Sequence, residues 1–179
     1  VTGVTAHRLA EAYDTGAILG QRTLAIDPSW NAWTLARKLD RPSLSLLREV
    51  VRELAGGALS EQPQDESKAT FAPEPRDVEL ALSWHEPAAT IVRRIRAASP
   101  WPGAFTSLGD ALVTITRAEE TGDLPRALEP GEAVVRDDGA VVVRAVDRGV
   151  ILHEGRDEDE GPLDALALAH LVRSLTSRR

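Results

Sequence analysis

The residue in this chain whose type and setting most suggest chemistry is Asp14, in Tyr13-Asp14-Thr15-Gly16, because it places a carboxylate on a turn between two apolar segments. A carboxylate in that position can move or hold a proton. An Asp-Thr-Gly triplet can also close a turn through its own side-chain hydrogen bonds, so the residues alone leave both roles open. Thr5, His7 and Arg8 precede the turn, where alternate side chains of a strand could line an acceptor cleft and His7 could serve as a general base. Period-two alternation also reads His7 as a solvent-facing strand residue opposite the apolar set. His85, His153 and His170 lack ligand spacing, and no metal site is expected. Asp157-Glu158-Asp159-Glu160 could attract a cation through its oxygens but reads more simply as a solvated loop.

The elements that must position Asp14 are a strand through Val4, Ala6 and Leu9 and another through Ala17, Ile18, Leu24 and Ile26, with Gly16 free to take a positive φ. Ser29 is the expected N-cap of a helix to Leu39, which Asp40-Arg41-Pro42 interrupts. Proline costs about 3 kcal/mol in a helix interior, so a second, amphipathic helix from Pro42 to Ala55 is expected. Trp30, Trp33 and Leu39 would face a core, as would Leu44, Leu47, Val50, Val51 and Leu54, and Gly56-Gly57 would end the helix.

Residues 60–77 carry Pro63, Pro73 and Pro75 among polar side chains and read as a linker, which divides the chain into 1–59, 60–77 and 78–179. Beyond it are expected a short strand from Val78 to Trp84 and a helix from Ala88 to Ala98, with Ile91 and Ile95 inward and Ser99-Pro100 as its stop. Strands follow at Ala111 to Ala118, Ala133 to Arg136, Ala140 to Val146 and Gly149 to His153, with a hairpin turn at Asp137-Asp138-Gly139. With a closing helix from Leu163 to Leu175, they suit a small β-rich open barrel. Pro100, Trp101, Pro102 and Gly103 combine two fixed φ angles with one large ring, which suits a structural clasp seating the second domain on the first.

Composition narrows the partners. The chain has no cysteine, which excludes disulfides and thiolate chemistry, and no methionine, which suggests a start before Val1 or removal of an initiator. No apolar run approaches the roughly 20 residues of a membrane span, and the protein reads as soluble and cytoplasmic. Residues 1–75 hold 8 basic and 10 acidic side chains and residues 76–179 hold 13 and 18, so the surplus of cations that a strong grip on RNA needs is missing from both parts.

Thr2-Gly3-Val4-Thr5, Tyr13-Asp14-Thr15-Gly16 and Ile95-Arg96-Ala97-Ala98-Ser99-Pro100-Trp101-Pro102-Gly103-Ala104 occur in this order, with Ala69-Thr70-Phe71-Ala72-Pro73, Leu82-Ser83-Trp84 and Pro130-Gly131 between and beyond them. Together they resemble the formyltransferase family typified by methionyl-tRNA formyltransferase. The resemblance implies an α/β remnant of a Rossmann-like catalytic domain followed by an OB-like domain with a C-terminal helix. It also implies 10-formyltetrahydrofolate, bound mainly by a preceding half that ends in Asn-x-His and Ser-Leu-Leu-Pro and has no match here; that half, or a complementary chain, would be a partner. In such a family an Asn, a His and the Asp of the turn perform catalysis, and Asp14 is the one member matched. The chain alone is therefore expected to be inactive.

The acceptor implied is the amine of methionyl-tRNA, although the acidic balance weighs against tRNA. A relative acting on an amino sugar or amino acid, or a non-catalytic binding module, stays open. Asp14-Thr15-Gly16-Ala17 is also similar to the catalytic turn of retroviral-type aspartic proteases, a distant alternative that needs a second carboxylate from a dimer mate.

Overall fold

A computed structural model describes residues 1–124 and 128–176, so Pro125, Arg126, Ala127, Ser177, Arg178 and Arg179 of the expected second domain lie outside the described residues. The chain divides into two compact units, Val1–Glu74 and Pro75–Arg179.

In the first unit, strand β1 (Thr2–His7) pairs antiparallel with β2 (Ile18–Leu24), with Thr5 opposite Gln21, Ala6 opposite Gly20, and a bulge between Ala6 and His7. Leu9 and Ile26, expected within strands, fall outside them and are exposed. Helix α1 (Ala32–Ala55) packs on this hairpin, with Leu46 and Val50 buried and lying over Gly20, where a side chain would collide with Leu46.

The expected break at Pro42 does not occur, and α1 runs through it. Proline forfeits its own N–H, and the burial of Leu46 and Val50 one and two turns later offsets part of that cost. The N-cap is Asn31, whose side chain accepts from the Thr34 N–H at 2.8 Å; Ser29 instead donates both its N–H and its hydroxyl to Asp27. Those two bonds hold the Asp27 carboxyl below its ordinary range. At the other end, Gly57 takes a left-handed conformation that stops the helix.

The second unit begins with a single turn, α2 (Asp77–Leu80), where a strand was expected. The Glu79 carboxylate accepts the Arg76 N–H at 3.0 Å, which favours the turn; strand-like contact is confined to a bridge between Ala81 and Phe105. Helix α3 (Ala88–Ala98) follows with Ile91 and Ile95 buried, as the periodicity predicts. Its N-terminus is capped from afar, because the Asp147 carboxylate accepts the Ala88 N–H at 2.8 Å.

The sheet comprises β3 (Ala104–Leu108), β4 (Ala111–Thr121), β5 (Ala133–Val135), β6 (Val141–Arg144), β7 (Gly149–Arg156) and β8 (Pro162–Leu163). Its order is β3-β4-β7-β6-β5, all antiparallel, with β8 beside β7. β3 and β8 were not expected from sequence. The β5–β6 hairpin turns through Gly139 at φ 87°, as Asp137-Asp138-Gly139 predicts. Helix α4 (Ala165–Thr176) buries Leu168 and Val172, and α3, α4 and the sheet enclose a continuous apolar core. One buried polar pair lies within it, where the Trp84 indole N–H donates to the Thr106 hydroxyl at 2.9 Å. No helix among the described residues is long and apolar enough to cross a membrane.

Candidate functional site

The loop between β1 and β2 holds Asp14 by several small constraints. Asp14 itself, and not Gly16, takes the left-handed conformation, at φ 59°. Asp is among the few side-chain-bearing residues that adopt it readily. Gly16 is required for a different reason: a Cβ there would overlap the backbone carbonyl oxygen of Arg8. Thr15 donates its hydroxyl to the Ala12 carbonyl at 3.1 Å. The Gln64 side-chain amide donates to the carbonyls of Asp14 and Gly16, at 2.6 and 2.7 Å, and Gln62 bridges to Ile18. The first part of the stretch read as linker thus serves as a strap across the turn.

The structure brings one other predicted residue to Asp14. His7 Nε2 lies 3.4 Å from Asp14 Oδ1, across the mouth of the loop. His7 Nδ1 lies 2.9 Å from the Arg8 carbonyl oxygen; a carbonyl can only accept, so Nδ1 carries the hydrogen and Nε2 faces the carboxylate. Period-two alternation leaves His7 open between a general base and a solvent-facing side chain, and the structure places its ring beside Asp14. Residues 7 and 14 meet only because the bulge at Ala6/His7 and the left-handed Asp14 re-aim both side chains.

The other candidates turn elsewhere. Arg8 donates to Glu61 at 2.5 and 2.9 Å, which raises the guanidinium and lowers the carboxyl from their ordinary values. Thr5 accepts from the Gln21 amide at 3.0 Å on the strand face away from α1. Within this unit Arg8 and Thr5 are thus held by Glu61 and Gln21, and the Asp14 side chain is 91% exposed.

Pro100, Trp101, Pro102 and Gly103 connect α3 to β3, with both proline bonds cis. The segment acts as a clasp inside its own unit. Gly103 N–H donates to the Ala98 carbonyl at 2.9 Å, the buried Ser99 hydroxyl donates to the Thr116 carbonyl at 2.8 Å, and Arg156 donates to the Pro100 carbonyl. Trp101 is 72% exposed, so its ring is not part of that packing. Among the described residues, no group of three or more potential metal ligands occurs.

A sequence profile of the formyl transferase C-terminal domain matches residues 77–171. The methionyl-tRNA formyltransferase of Bacillus licheniformis is 34% identical over 154 residues, which is 86% of this chain and 48% of that protein. The chain thus spans about half the length of this curated relative. Similar solved structures include HypX from Aquifex aeolicus in complex with tetrahydrofolic acid, with a TM-score of 0.77 at 22% identity over 93% of this chain and 29% of that one. Another is the N-formyltransferase from Helicobacter canadensis in complex with folinic acid and dTDP-3-aminofucose, with a TM-score of 0.61 at 16% identity over 84% of this chain and 54% of that one. At these identities the structural likeness shows a shared fold.

Proposed function

This chain belongs to the formyl transferase family through its C-terminal domain, and from that premise we propose that it forms the later part of a 10-formyltetrahydrofolate-dependent enzyme that transfers a formyl group to an amine. The observation that carries this reading is the match to a methionyl-tRNA formyltransferase over 86% of the chain. The first unit is read as the end of a Rossmann-like catalytic domain and the second as an OB-like domain of a cytoplasmic enzyme. Methionyl-tRNA is the proposed acceptor.

When bound, the folate supplies an activated formyl group. The donor set of this chain fits the proton-moving side of that chemistry and offers no enclosure for the folate at Asp14, so the binding pocket is assigned to polypeptide outside this chain. His7 Nε2, free of a hydrogen in the neutral ring, accepts the proton that an attacking ammonium must lose. The Arg8 carbonyl, accepting from Nδ1–H, fixes both the tautomer and the orientation of the neutral ring; Asp14 accepts from Nε2–H once the ring is protonated and balances its charge, and the ring can return that proton to the departing nitrogen of the formyl donor. Thr5 and Arg8 are proposed to border the acceptor, and the Pro100 to Gly103 segment is the structural clasp. The outward apolar side chains of α1, described below, support a first unit that further polypeptide completes. On this reading the isolated chain does not turn over.

A second reading, an amino-sugar acceptor, is favoured by the acidic balance of the chain and by the dTDP-3-aminofucose complex of the Helicobacter canadensis protein. The two separate in an assay of the chain supplemented with the remaining half of the Bacillus licheniformis relative. Formylation of methionyl-tRNA and not of dTDP-3-aminofucose supports the first reading, and the reverse replaces it with the second.

A further inference from the structure

Four arginines of α1, Arg37, Arg41, Arg48 and Arg52, are exposed, and none has a carboxylate partner among the described residues. At about 100° per residue they fall within roughly 60° of one another around the helix and form a line roughly 22 Å long. The line consists of two i, i+4 pairs, each spanning roughly 6 Å, with their centres roughly 16 Å apart. Leu46 and Val50, which seat α1 on the hairpin, lie on the far side of the helix. Among the carboxylates of α1, Glu49 is engaged by Arg22.

This pattern is unusual for a chain of net charge −7. In the second unit, Arg94 is held by Glu86, Arg117 by Glu154, Arg136 by Asp123 and Asp138, and Arg156 by Glu160. Arg93 and Arg148 of the second unit are exposed and outside these ion pairs as well, but they stand apart on α3 and on the β6–β7 turn, whereas α1 carries four such arginines in one line. Arg93, Arg94 and Arg96 of α3 also lie close together in sequence, but Arg94 is paired with Glu86 and Arg96 is half-buried.

We propose that the Arg37–Arg41–Arg48–Arg52 line of α1 is a binding surface for an RNA phosphate backbone. It would hold the body of a tRNA acceptor. The inference rests on the tRNA reading of the acceptor. Guanidinium forks match phosphate oxygens in pairs, and two separated pairs suit two stretches of backbone better than one compact anion. The surface positions RNA without reading its sequence.

The test is fluorescence anisotropy of the 179-residue chain with a labelled initiator-tRNA transcript at 50 and 200 mM NaCl. Each lost phosphate contact lowers the salt slope by roughly 0.7 to 0.9. Between those salt concentrations the wild type should therefore lose affinity on the order of 100-fold more than the Arg37→Ala/Arg41→Ala/Arg48→Ala/Arg52→Ala variant. Arg93→Ala in the second unit should leave binding unchanged. Circular dichroism of the fourfold variant should match the wild type, since the substituted side chains are exposed.

No binding by the wild type at 50 mM removes the tRNA reading and the inference with it. Wild-type binding that the fourfold variant retains overturns the inference and leaves the tRNA reading intact. Equal affinity for polyglutamate, lost in the same variant, identifies an acidic protein as the partner and overturns the RNA assignment.

Discussion

In the second unit Ile91, Ile95, Ile115, Leu152 and Leu168 are closed off from solvent between two helices and a sheet, whereas in the first only Leu46 and Val50 reach comparable burial among the described hydrophobic side chains. Trp33, Leu44, Leu47, Val51 and Leu54 line the outer surface of α1 at 52% to 60% exposure, and Tyr13 and Leu9 on the catalytic-candidate loop are almost wholly exposed. The hairpin below α1 has two strands, fewer than an independently stable sheet normally needs. The second unit thus has the burial of a finished domain, whereas the first leaves most of the apolar side chains of its helix exposed, as the proposed completion by further polypeptide requires. The proposed chemistry lies in the less finished unit.

This contrast can be broken by mutation. Ile91→Ala should destabilise the second unit by about 2–5 kcal/mol, read as a lower urea midpoint, while Leu47→Ala on the outer face of α1 should change stability by no more than about 0.5 kcal/mol. Equal costs at the two positions would mean that α1 is already covered. Gly16→Ala forces a side chain onto the Arg8 carbonyl, a backbone group that cannot swing aside, and should cost about 1–3 kcal/mol. It should do so locally, with faster hydrogen exchange at Arg8 and Ile18 and unchanged exchange in β6 and β7. Loss of protection in β6 and β7 as well would contradict a local effect.

A smaller effect is expected at Asp147, whose carboxyl is held below its ordinary range chiefly by the Ala88 N–H it caps. Asp147→Ala should cost about 1 kcal/mol at neutral pH. Because the folded pKa is the lower one, the stabilisation is complete above the ordinary carboxylate range and fades as pH falls through the folded value, so the gap to the variant should close in acid. A gap that persists at low pH would refute the capping role.

Much of the second unit was legible because its signals are local. The Ile91/Ile95 spacing marks α3, the Val141 to Val143 run marks β6, and Asp137-Asp138-Gly139 marks the turn before it. β3 was hidden because Phe105 and Thr106 follow directly on the proline-rich clasp, and β8 has only two residues. In the first unit Pro42 misled, since a breaker rule weighs one residue and the fold weighs the whole buried face of α1. The family could be read from ordered motifs, and Asp14 with it as a candidate. His7 as its neighbour could not, because the pairing depends on a bulge and a left-handed residue that no periodicity encodes. The α1 arginines fall into a line only in a continuous helix through Pro42, which a breaker rule does not foresee.

The central claim is that Asp14, through His7, serves formyl transfer once the first unit is completed. The direct test supplies 10-formyltetrahydrofolate and methionyl-tRNA to the chain alone, to the chain with the remaining half of its Bacillus licheniformis relative, and to the same mixture carrying Asp14→Asn. The account predicts no formylated product in the first case, product in the second, and a rate about 100-fold or more lower in the third. Product from the chain alone, or full activity of the Asn variant, would contradict it.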